Sequence, residues 1–264
     1  MFDTRTVSSH VDSIRETHAP DTLVFDCQRD FETLPPTLAE SLGVMVERLE
    51  PSTYPLEWLP PDAPELLVRY ASSDFTIGMP GDGSIVWTRQ TDPPVVLVKP
   101  RIQGSPESFV DFLLAEAFVE LGLDVPEHFL GFFEDTYRDL DAALPLDPTA
   151  TYQIGAAMYD AWRGLQTRET FAAWHTDGAH PHPELAAAWQ DAGGRLEERV
   201  SGLPSAVARG ETDFADATEL ACSAVKHAIE LPPPFAALDT SAYLDHGPAY
   251  AVRWAEKTFE ALDS

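Results

Sequence analysis

The sequence predicts an α+β fold, mainly helical, in which a small three- to four-stranded sheet in the N-terminal portion packs with a C-terminal helical portion. Three observations predict it. Apolar residues recur at helical spacing through most of the chain after Gly104. The extended signals, an apolar run at Leu23 to Phe25, a glycine-rich turn near Gly81 and the unbroken run Val95 to Val98 between prolines, all precede Gly104. The 44% of apolar residues, with 14 Phe, 7 Tyr and 6 Trp, supply ample material for a buried core.

Taken in order, the pattern predicts a helix from Thr4 to Thr17 with Val7, Val11 and Ile14 on one stripe, then a strand at Leu23 to Phe25. Leu38, Leu42, Met45 and Leu49 predict a second helix over Thr37 to Leu49, stopped by Pro51. Phe75 to Ile77 and Ile85 to Thr88, joined through Pro80, Gly81, Asp82 and Gly83, read as a hairpin, because glycines supply the positive φ that tight turns need. Val95 to Val98 reads as a central strand covered on both faces. Beyond Gly104, start signals at Ser105-Pro106, Pro126, Asp147-Pro148, Thr167, Pro183, Thr212-Asp213 and Pro248 each open a helix. Residues 1–104 form the mixed portion with the hairpin and 105–264 the helical portion. No Gly/Ser-rich linker separates them, and both are acidic, with net charges of −8 and −19, so one co-packed unit is expected.

Charge dictates the solvent. The 17 basic residues face 44 acidic ones for a net charge of −27, and only Lys99, Lys226 and Lys257 are lysines. Repulsion at this density opposes folding in dilute buffer, whereas multimolar salt shortens the Debye length to about 3 Å or less. A salt-loving, haloarchaeal cytosol is the expected setting. The N-terminus carries no basic segment followed by an apolar one, no apolar stretch is long enough to span a bilayer, and Cys27 and Cys222 lie too far apart to suggest a disulfide framework, so a cytoplasmic protein with reduced thiols and no membrane partner is expected. Nucleic acid is disfavoured by the lack of a basic run, although high salt weakens that argument. Arg89, Lys99 and Arg101 come nearest to one, and would serve only by converging on one exposed face.

The densest set of potential ligands is His175, Asp177, His180 and His182. Imidazole and carboxylate suit a transition metal, and a loop can curl to present them to one ion, whereas a solvated interhelix loop in which His182 caps the next helix explains them without metal. The other constellations read as structural. Gly78 to Gly83 lacks the helix that a phosphate loop requires. Asp26 ends a strand as a phosphatase nucleophile would, but Gln28 stands where a second carboxylate is needed, and Cys27 reads as a small core residue. His10 and His18 share a helix face two turns apart, too far to hold one ion.

Three segments, Asp74 to Gln90 (DFTIGMPGDGSIVWTRQ), Pro100 to Glu134 (PRIQGSPESFVDFLLAEAFVELGLDVPEHFLGFFE) and Glu211 to Asp239 (ETDFADATELACSAVKHAIELPPPFAALD), resemble an uncharacterised haloarchaeal protein family with no assigned activity. The resemblance runs the length of the chain, implies a salt-adapted cytosolic protein and carries over no catalytic residue. The expectation is a binding or interaction protein without catalytic activity, its partner a protein or a second copy, with no resident cofactor. The alternative is a metal-dependent hydrolase using His175, Asp177, His180 and His182 around a metal-bound water.

Overall fold

The computed structural model describes residues 1–72, 76–79, 83–175 and 181–262. Its strands are β1 (Phe2–Thr4), β2 (Leu23–Cys27), β3 (Arg48–Leu49), β4 (Ile85–Thr88), β5 (Thr91–Asp92) and β6 (Val95–Val98). Its helices are α1 (Ser9–His18), α2 (Pro36–Leu42), α3 (Glu65–Ala71), α4 (Glu107–Gly122), α5 (Phe129–Phe133), α6 (Thr136–Ala143), α7 (Pro148–Ala172), α8 (Pro183–Ser201), α9 (Leu203–Ala208), α10 (Phe214–Val225) and α11 (Ser241–Leu262). The fold is α+β and mainly helical, with the small sheet near the N-terminus. No helix among the described residues is long and apolar enough to cross a membrane. The chain divides into two compact units, one of Met1–Tyr54, Arg69–Glu127 and Trp174–Ala188, the other of Pro55–Val68, His128–Ala173 and Trp189–Ser264.

The first unit is built on a sheet of order β1-β2-β6-β4. The run Val95–Val98 takes an interior place, parallel to β2 and antiparallel to β4, and all four side chains are buried. Two covered faces explain why the run does not alternate. Phe25, Cys27, Val86, Val95 and Leu97 pack with Leu34, Ala39 and Leu42. α1 packs on α4, and its start is fixed by Ser8, whose hydroxyl accepts from the Val11 N–H and donates to Asp111.

Several elements depart from the sequence expectation. The first helix starts at Ser9, and Thr4 instead ends strand β1, which ladders to β2, seats Phe2 in the core and is too short to show a period. The second helix stops at Gly43, where an added Cβ would lie 3.1 Å from both the Glu40 carbonyl oxygen and the Leu49 side chain. Met45, expected on its buried stripe, is exposed, and Arg48–Leu49 forms β3, which pairs with β5. β4 takes β6 as its antiparallel partner, and Ile77 bridges to Leu34, so the described residues do not show the hairpin as expected. Phe75 and the turn residues Pro80, Gly81 and Asp82 lie outside the described residues.

The second unit is helical. Asp147 accepts from the Thr149 and Ala150 N–H groups and starts α7, and Asp213 does the same for α10 through the Asp216 N–H. The helix expected after Pro126 is two short ones, because Glu134 adopts φ 51° between α5 and α6. Thr167 opens no helix; it lies inside α7 and donates to the Gly164 carbonyl. Pro248 lies within α11, at a kink where Gly247 adopts φ 46°. A proline at that place has no N–H for the Leu244 carbonyl, and the Trp162 indole N–H donates to it instead at 3.1 Å. Phe129, Phe132, Phe133, Tyr137 and Tyr152 form an aromatic core with edge-on neighbours.

Candidate functional site

Backbone hydrogen bonds fix the described flanks of the His-rich segment between α7 and α8. The His182 N–H donates to the Trp174 carbonyl at 2.8 Å, and the His182 carbonyl accepts from the Ala186 N–H at 3.0 Å. His182 thus ends the loop and starts α8, while Pro183, which lacks an N–H, occupies a first-turn position where none is needed. The His182 ring meets two others edge-on, Trp174 with centroids 6.3 Å apart and His10 with centroids 6.4 Å apart. His175 follows the buried Trp174 at the base of the same loop and is half-buried. Asp177 and His180 lie outside the described residues. Among the described residues, no group of three or more His, Cys, Asp or Glu side chains is arranged to hold a metal ion.

His10 is the histidine that sequence reasoning missed. Its spacing put it on a helix face with His18, two turns apart and too far to share an ion; His18 is half-buried against Gly122, where burial lowers its pKa, while His10 is exposed and meets His182. No signal in a single sequence links two residues so distant along the chain.

A second concentration of chemistry lies where β2 and β6 end side by side. Asp26 stands opposite Val98, which carries Cys27 and Lys99 to the same end of the sheet. Lys99 is fully buried, its ammonium 4.7 Å from the centre of the Phe31 ring. Burial, and after it the negative charge of Asp26, pushes the Cys27 thiol up to about 12, with Lys99 acting in the opposite direction. A thiol so held is protonated at neutral pH, in keeping with the core role expected of Cys27. Cys222 is likewise buried, and burial raises it well above the ordinary thiol range. Asp26 itself accepts from Arg5 at 2.6 Å.

The three basic residues have separate duties. Arg89 donates to the carbonyls of Glu120, Leu121, Leu123 and Val125, satisfying the C-terminal end of α4 and the turn after it. Lys99 is interior. Arg101 bridges Asp30 and Glu32 and donates to the Phe31 carbonyl. They do not pave one exposed face.

No curated protein and no solved structure matches this chain. A family model does, over residues 1–262, its family described as one of unknown function. With the match running through both the sheet and the helices, the chain belongs to DUF7089, a family of unknown function.

Proposed function

We propose that this chain is a salt-adapted cytosolic binding or interaction protein that performs no catalytic step. The observation that carries the reading is the pair Val44 and Met45, 87% and 38% exposed at the turn between α2 and β3, on a molecule whose net charge is −27. In concentrated salt the repulsion between such chains is screened, and an apolar contact of this kind is free to act. The fates of Arg89 and Cys27 agree with it, since each is engaged within the fold. Size-exclusion with light scattering in multimolar KCl, followed by a pull-down in the same salt, tests the proposal. The expected result is an assembly or a retained protein that the Val44→Asp/Met45→Asp variant loses. A strict monomer that retains nothing, or binding that the variant keeps, overturns it. A melting temperature that does not climb with KCl removes the salt adaptation.

A second reading, a metal-dependent hydrolase using His175, Asp177, His180 and His182, draws support from the His182–Trp174 hydrogen bond, which joins the described flanks of the segment. A metal there would supply an activated water. Ester hydrolysis by the zinc-loaded chain, lost in His182→Asn, is its test.

A further inference from the structure

We infer that His10 and His182 form a transition-metal site in the first unit, a site that does not depend on the interaction reading. The two imidazoles come from different elements and meet edge-on with centroids 6.4 Å apart. With metal–nitrogen bonds of about 2.0–2.1 Å, two imidazoles sharing one ion bring their ring centres to roughly 5–6 Å. The observed separation of 6.4 Å lies close to that range.

Both backbones are held independently of their rings. His182 is fixed by the Trp174 carbonyl and by its place at the start of α8, and its ring meets those of Trp174 and His10 edge-on. His10 is the second residue of α1, anchored where the Ser8 hydroxyl joins the helix start to Asp111 of α4. Fixed positions lower the ordering cost of binding.

Donor chemistry selects the ion. Neutral imidazole nitrogen favours Zn²⁺, Co²⁺, Ni²⁺ and Cu²⁺ over hard cations such as K⁺ and Mg²⁺. In brine this distinction matters, because the carboxylates of an acidic surface face molar K⁺ while a histidine pair does not compete for it.

Titration with Co²⁺ in KCl buffer, followed by visible absorption and calorimetry, decides the matter. One ion per chain is expected, with affinity weakened at least about tenfold in His10→Ala and again in His182→Asn. His10 is exposed, so its variant leaves the fold intact, as an unchanged melting curve would verify. No binding overturns the site, as does binding that His10→Ala leaves untouched, which would place the ion on the loop alone. The Val44→Asp/Met45→Asp variant keeps the metal if the site is as inferred, so a failed interaction reading and a failed metal site are separable.

Discussion

The two units solve the same problem, satisfying backbone carbonyls where helices end or bend, by opposite means. In the first, one guanidinium serves four carbonyls in the last turn of α4 and just beyond it, and the Glu127 carboxylate accepts from Thr88, the Arg89 N–H and Gln90. In the second the work is spread over aromatic tips. Trp162 donates to Leu244, Trp189 to Lys226, Trp254 to Pro234, Tyr243 to Met158 and Tyr250 to Ala237. An aromatic ring with a polar tip fills the core and satisfies a carbonyl at once, which suits a chain with 17 basic residues among 264. The difference teaches that polar order is concentrated at one point in the first unit and distributed in the second, so their sensitivity to single substitutions should differ.

The largest expected effect follows directly. Arg89→Ala strands four carbonyls and should cost about 3 kcal/mol or more, whereas Trp162→Phe, which removes one donor and keeps the ring, should cost about 1 kcal/mol. Chemical denaturation of both variants in the same KCl buffer measures the contrast. Equal losses would break the distinction between concentrated and distributed order.

Helix packing in the second unit sharpens it. A Cβ on Gly164 of α7 would lie 2.8 Å from the Cβ and 3.0 Å from the Cα of Lys226, just past the end of α10. Gly164→Ala should therefore lower stability by about 1–3 kcal/mol. Gly194 of α8 is exposed and has nothing within 4 Å of an added Cβ, so Gly194→Ala should raise stability by up to about 1 kcal/mol through helix propensity alone. Thermal melts of the pair at fixed salt should move in opposite directions. A loss in Gly194→Ala would show that the site is not open.

These positions show what was legible in the sequence. Helix starts set by local chemistry were readable, as at Asp147, Pro183 and Asp213, because a cap acts within three residues. The strand Val95–Val98 was readable because burial on both faces leaves a mark on four consecutive residues. Gly193 and Gly194 look equivalent as text, yet His227 crowds one while the other faces open space. Such differences, like the end of α2 at Gly43, are fixed by partners distant along the chain. The candidate site divided in the same way. The loop histidines were visible as a cluster, but the meeting of His10 with His182 is a tertiary contact that periodicity cannot encode.

The smallest effect compares one carboxylate from each unit. Asp30 accepts from Arg101 at 2.9 Å, and this hydrogen bond, ahead of other causes, lowers its pKa. Its contribution is present above the unfolded carboxylate value of about 3.9 and is lost as pH falls through the lower folded value. Asp141 in the second unit has the opposite sign, since burial, and after it Asp62, raises its pKa, so the folded state binds its proton first and gains stability on acidification. Acid denaturation should accordingly be shallower in Asp30→Asn and steeper in Asp141→Asn than in the parent chain. Because Asp30 is exposed, its difference should shrink as KCl rises, while that of the partly buried Asp141 should persist longer. If both differences vanish together at low added salt, the acid response belongs to the net charge of the whole chain, and the two carboxylates do not distinguish the units.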